Sequence, residues 1–187
     1  MNPAPNLFFI GPMGAGKTTI GRRTAELLGV PFFDLDHEIE EHCGADVALI
    51  FDLEGEPGFR RRESQLLAEF AARSSIALAT GGGAVLAEDN RRTLRERGFV
   101  VFLETTVDEQ LARLARDRKR PLLAAPDRRE RLLALAAQRA PLYREIADLT
   151  VPPGHVGGVT QVARRLADTL RERWQRTPPS GSADFAA

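Results

Sequence analysis

Gly11-Pro12-Met13-Gly14-Ala15-Gly16-Lys17-Thr18 is a complete G-x-x-x-x-G-K-[ST] run, preceded by the apolar Leu7-Phe8-Phe9-Ile10 and followed by a helical pattern. In that setting of strand, loop and helix it reads as a phosphate-binding loop. The glycines let consecutive backbone N–H groups turn toward one anion, and the new helix adds its unpaired N–H groups and the positive end of its dipole. Lys17 is placed to meet the β/γ-phosphates of a nucleotide, and Thr18 to offer its hydroxyl to Mg²⁺.

Outward from this loop, strand-like runs alternate with amphipathic stretches. Strands are predicted at Leu7 to Ile10, Pro31 to Asp34, Ile76 to Ala79, Val100 to Leu103 and Leu149 to Val151. Alternation of this kind implies an α/β fold, a mostly parallel sheet covered on both faces. Helical patterns fit Lys17 to Leu28, ended by Gly29, then Phe59 to Arg73 and Val159 to Trp174. Thr106-Val107-Asp108-Glu109 has the form of a capping box. The 187 residues fit one domain over 1–176, with a Pro/Ser/Gly-rich tail at 177–187 that is expected to be disordered and dispensable.

Composition narrows the function classes. With 26 acidic and 26 basic residues there is no global field to draw nucleic acid or an anionic membrane. No apolar stretch approaches the ~20 residues of a membrane span, and the first six residues lack the charged and apolar regions of a signal peptide. These features predict a cytoplasmic protein with neither a nucleic-acid nor a membrane partner. Cys43 is the one cysteine, which excludes an internal disulfide and a multi-cysteine metal site.

Ligands of such sheets collect beyond the carboxyl ends of the strands. After the second strand stands Asp34-Leu35-Asp36, two carboxylates that an extended chain would turn to one face; capping of the following helix is an equal alternative. His37, among Glu38, Glu40 and Glu41, fits a solvated helix face. In Phe51-Asp52-Leu53-Glu54-Gly55-Glu56-Pro57-Gly58-Phe59-Arg60 two readings compete. Asp52-x-x-Gly55 matches a switch element of GTP hydrolases, without the accompanying Asn-Lys-x-Asp. Alternatively the turn delivers Arg60 to a carboxylate, which its planar fork can hold through two parallel hydrogen bonds. Thr80-Gly81-Gly82-Gly83 follows the third strand, where Gly82 could offer its N–H to a substrate and Thr80 could hold a water on Mg²⁺. The basic run at Arg116, Arg118, Lys119 and Arg120 suits a mobile lid over the transferring phosphoryl group better than a nucleic-acid patch. Arg139, just after a helical run, is placed to reach back into the cleft.

Taken together, Gly11 to Thr19, Asp34-Leu35-Asp36, Phe51 to Arg60, Thr80 to Gly83, Arg120-Pro121-Leu122-Leu123 and Arg139-Ala140-Pro141-Leu142-Tyr143 resemble the shikimate kinases, small P-loop enzymes of the nucleoside-monophosphate-kinase-like group. The resemblance spans about Asn6 to Trp174. It implies a three-layer P-loop kinase fold, a five-stranded parallel sheet in order 2-3-1-4-5, and a lid near 112–127. The implied reaction is MgATP-dependent phosphorylation of the shikimate 3-hydroxyl, by a monomer. By matched position it implies ATP contacts from Gly14, Ala15, Gly16, Lys17, Thr18, Thr19 and Arg120, and shikimate contacts from Asp36, Arg60, Gly82 and Arg139. Thr18 and Asp34 would serve Mg²⁺. Lys17, Asp36 and Arg120 would carry catalysis, Asp36 orienting or deprotonating the hydroxyl. The loop at 151–158, where the family meets adenine, matches loosely; His155 is its best candidate, and a solvated histidine is an equal alternative. A kinase for another polyol acid such as gluconate, and a GTP-dependent switch, are the competing functions.

Overall fold

A computed structural model of the chain describes residues 4–114, 127–154 and 158–175. Five strands, β1 (Asn6–Ile10), β2 (Phe32–Asp34), β3 (Ala77–Ala79), β4 (Gly98–Leu103) and β5 (Leu149–Val151), form one sheet in the order β2-β3-β1-β4-β5. Every pairing is parallel. The helices are α1 (Lys17–Leu28), α2 (Leu35–Cys43), α3 (Val47–Ala71), α4 (Glu88–Arg97), α5 (Val107–Leu114), α6 (Arg128–Ile146) and α7 (Val159–Arg173), with a 3₁₀ turn η1 at Ala84–Leu86.

β1 lies at the centre and is wholly buried, so its side chains serve both faces. Phe8 and Ile10 join Leu67, Leu94, Phe102 and Tyr143 on one side of the sheet. Leu7 and Phe9 join Val101, Leu103, Leu166 and Trp174 on the other. Each such side chain stabilises the fold by about 1.5–3 kcal/mol. Asn6 is buried but satisfied: its Nδ2 donates to the carbonyls of Ala71 and Arg73, and its Oδ1 accepts from the Ile76 N–H. That one side chain ties the end of α3 to the entry of β3. The Trp174 indole donates to the Ala4 carbonyl and closes α7 over the start of the sheet. No helix among the described residues is long and apolar enough to cross a membrane.

The secondary structure departs from the sequence expectations in three places. β2 ends at Asp34 and α2 begins at Leu35, so Asp34 and Asp36 do not share an extended strand. The helix predicted to start at Phe59 is the second half of α3, which begins at Val47 and breaks at Gly55 (φ 67°, ψ −179°). That break is a backbone state L residues avoid, and Pro57 then starts the second half, where its missing N–H is not needed. Third, Arg139 lies inside α6 rather than after it, because the helix runs through Pro141 and forgoes only the bond to the carbonyl of Ala137.

Candidate active site

At the carboxyl end of β1 the chain turns through Gly11, Gly14 and Gly16, with φ of 140°, 75° and 92°. L side chains rarely adopt these values, and a Cβ on Gly11 would overlap the Leu103 carbonyl. Lys17 folds back over this loop and donates Nζ hydrogen bonds to the carbonyls of Gly11 (2.8 Å) and Pro12 (2.9 Å). Gly16 caps α1 without a side chain, and the first turn of α1 holds no acidic residue. No acidic side chain of α1 itself therefore competes with an anion for the helix end.

Asp34 joins the two readings its sequence left open. One carboxylate oxygen accepts the Asp36 N–H (3.1 Å), capping α2, and the other accepts from the Thr18 hydroxyl (2.5 Å). A hydroxyl and a carboxylate therefore meet beside the phosphate loop. Among the described residues no three His, Cys, Asp or Glu side chains gather as a metal cage. The pair fits Mg²⁺, which commonly takes one or two protein ligands and completes its shell with phosphate oxygens and water. Thr80 departs from the expectation of a water-holding hydroxyl: it is buried, and its Oγ1 donates to the Phe9 carbonyl (3.4 Å).

Opposite the loop, Gly81, Gly82 and Gly83 form a ledge without side chains. A Cβ on Gly81 would press on Glu63 Oε1 and Asp36 Oδ1, one on Gly83 would overlap the Arg60 guanidinium, and one on Gly82 would touch the Met13 nitrogen at 3.4 Å. The ledge therefore has Asp36, Arg60 and Glu63 on one side and the start of the phosphate loop on the other. Arg60 donates to Glu63 (2.7 Å) and to Glu56 (3.0 and 3.3 Å). Tyr143, stacked on Phe102 at 5.0 Å, donates its hydroxyl to the Gly82 carbonyl (2.5 Å). Arg139 completes the group, within electrostatic reach of both Tyr143 and Glu63.

The electrostatics follow from burial. Glu63 is fully buried, and desolvation pushes its carboxyl above the ordinary range, with Arg60 pulling it back and Asp36 adding to the rise. Burial likewise pushes the Tyr143 phenol up to about 12, against the pull of Arg139, so it stays a donor at neutral pH. Two polar atoms of this cluster, Glu63 Oε1 and Arg139 Nε, are buried with no hydrogen-bond partner among the described residues. Orphans of that kind cost stability unless something binds to them. A donor and an acceptor left open beside a phosphate loop suit a ligand with both a carboxylate and hydroxyl groups.

Two residues here were not singled out from sequence. Glu63 hides in Arg60-Arg61-Arg62-Glu63, which reads as surface charge; its signal is its place on the apolar stripe of Phe59, Leu66, Leu67 and Phe70. Arg113, on α5, donates to the Gly14 carbonyl (2.8 Å) and braces the phosphate loop. The predicted capping box is present, Thr106 Oγ1 accepting from the Glu109 N–H and Glu109 accepting from the Thr106 N–H. The same Glu109 accepts from the Gly154 N–H, tying the loop after β5 to α5. His37 is exposed near Glu41, as a solvated face requires, and Asp52 sits within α3 rather than on a switch loop. Arg120, most of the 112–127 lid, His155 and the 177–187 tail lie outside the described residues; 112–114 belong to α5.

Residues 13–171 match the family model described as shikimate kinase. A shikimate kinase of Chromohalobacter salexigens is 52% identical over 176 residues, covering 91% of this chain and 98% of that protein. One of Shewanella denitrificans is 58% identical over 146 residues, covering 78% and 85%. Among solved structures, a shikimate kinase from Acinetobacter baumannii in complex with shikimate matches with a TM-score of 0.86 at 46% identity, over 91% of this chain and 94% of that one.

Proposed function

This chain belongs to the shikimate kinase family, and from that premise we propose how its own side chains divide the reaction. The enzyme transfers the γ-phosphoryl group of ATP to shikimate, giving shikimate 3-phosphate and ADP on the route to chorismate and the aromatic amino acids. The observation that carries the division is the pair of orphaned atoms on Glu63 and Arg139 beside the Gly81–Gly83 ledge. Arg60 and Arg139 clamp the carboxylate, Gly82 offers its N–H, and Asp36 holds the ring hydroxyls and directs the one that attacks. Glu63 keeps Arg60 aimed at the ledge through their 2.7 Å bond.

On the nucleotide side, Gly14, Ala15, Gly16, Lys17, Thr18 and Thr19 hold the phosphates. Lys17 exchanges its bonds to Gly11 and Pro12 for γ-phosphate oxygens, and Arg120 adds charge from the lid. Thr18 and Asp34, already paired beside the phosphate loop, would hold Mg²⁺. Its charge would offset that of the nucleotide phosphates. Because the transition state of phosphoryl transfer is loose, placement and charge supply most of the acceleration. We infer a cytoplasmic monomer, and the balance of 26 acidic and 26 basic residues, which leaves no global field to draw nucleic acid or an anionic membrane, supports substrates that are small molecules.

A coupled ADP-release assay with MgATP tests this reading, with gluconate, no acceptor, and GTP in place of ATP as the other arms. Turnover that depends on shikimate and prefers ATP is expected. Faster turnover of gluconate would transfer the arginine clamp to another polyol acid.

A further inference from the structure

The Gly81–Gly83 ledge has no side chains of its own to hold it, and three consecutive glycines lose more conformational entropy on ordering than any other residues would. Two helices supply the missing restraint. Tyr143 of α6 holds the Gly82 carbonyl. Immediately downstream, every carbonyl of η1 is taken by α4: Asn90 Nδ2 donates to Ala84 (2.9 Å), and Arg91 Nη1 donates to Val85 (2.8 Å) and Leu86 (3.2 Å). Arg91 also reaches α6 through an ion pair, its Nε 3.6 Å from Glu145 Oε2, two residues beyond Tyr143, and without a hydrogen-bond partner among the described residues. The contacts close into a ring from Gly82 through η1, Arg91, Glu145 and α6 to Tyr143 and back to Gly82.

We propose that Arg91 is a positioning residue for the acceptor: by joining η1 to α6 it sets the Gly82 N–H and the ledge at the height where Arg60 and Arg139 meet the substrate. The guanidinium suits this task because its fork addresses two carbonyls and a carboxylate in different directions at once. Arg91 touches neither substrate nor nucleotide, and its effect passes through the backbone of residues 82–86. This role rests on the assignment of Gly82, Arg60 and Arg139 to shikimate.

The test is steady-state kinetics with shikimate and ATP varied separately, beside thermal denaturation. Arg91→Met is expected to raise the shikimate KM about tenfold, the loss of a charge-assisted bond, with the ATP KM within about twofold of wild type. Arg91→Lys should recover most of that loss, since an ammonium still reaches the η1 carbonyls. Arg92→Met, whose side chain is exposed and pairs with Asp89 on its own helix, should leave both constants unchanged. A parallel rise in both KM values, an unchanged shikimate KM, or a Lys variant no better than Met overturns the role. If Arg91→Met does not fold, Glu145→Gln decides: about a twofold to threefold rise in shikimate KM is expected, and no rise overturns it. Arg60→Ala and Arg139→Ala run alongside. If neither raises the shikimate KM, the acceptor assignment has failed and takes this proposal with it; if both do and Arg91→Met does not, only the role of Arg91 falls.

Discussion

The phosphate loop and the Gly81–Gly83 ledge face each other across a few ångströms, yet they are built in opposite ways. The loop is eight consecutive residues whose working parts are backbone N–H groups, with three glycines at positive φ and one lysine. The ledge is also glycine, but its chemistry is brought from α2, α3 and α6 by Asp36, Arg60, Glu63 and Arg139. Backbone donors need only the right turn. Buried charges need partners, and Glu63, Arg60 and Arg139 depend on one another or on a ligand for theirs. Damage to the loop should therefore stop chemistry for any acceptor, whereas damage to the ledge should change which acceptor is held and how tightly.

Lys17→Met is the harshest break. Loss of its charge from the transferring group should lower kcat on the order of 10³-fold, with the folded state kept because Lys17 is only partly buried on the loop. Steady-state rates beside circular dichroism check both halves. Arg60→Ala or Arg139→Ala should raise the shikimate KM on the order of 10²-fold and leave the ATP KM nearly unchanged.

The glycines sharpen the contrast. A Cβ on Gly83 falls on the Arg60 guanidinium, whereas one on Gly82 meets its nearest neighbour, the Met13 nitrogen, at 3.4 Å. Gly83→Ala should raise the shikimate KM about tenfold by swinging Arg60 aside, and Gly82→Ala by no more than about threefold. Equal effects would mean that Arg60 is not aimed by this close approach.

Glu63→Gln reads the ledge through stability. Burial raises its carboxyl above the ordinary 4.5, so the ionised form is less favourable in the folded than in the unfolded chain. The resulting penalty is absent below the unfolded value and grows as pH rises through the folded one. Relative to wild type, Glu63→Gln should therefore gain melting temperature as the pH is raised from 4.5 to 8, while the shikimate KM rises because Arg60 loses its charged partner. A relative loss over that range would make the buried ion pair a net support of the fold.

Legibility in the sequence follows the same division. The five strands and α1 stand within a residue or two of where periodicity puts them, because β-rich apolar runs bounded by Gly and Pro carry their own signal. The phosphate loop is legible in full, since its function is local. What local patterns misjudge are elements set by distant contacts. α2 starts at Leu35 because Asp34 caps it while also holding Thr18. α6 continues through Pro141 because Tyr143 and Ile146 beyond it are core residues. Arg60 and Arg139 can be named from family motifs, but Glu63 cannot be told from surface charge until α3 is folded against the sheet. A carboxylate on a helix's apolar stripe is the one trace it leaves in sequence.

The most direct test of the two-sided account is calorimetric titration of wild type, Arg60→Ala and Arg139→Ala with shikimate and, separately, with MgADP. The account predicts shikimate affinity lowered on the order of 10²-fold in both variants, with MgADP affinity within about twofold of wild type. Shikimate bound as tightly as by wild type, or MgADP affinity falling in step, would contradict it.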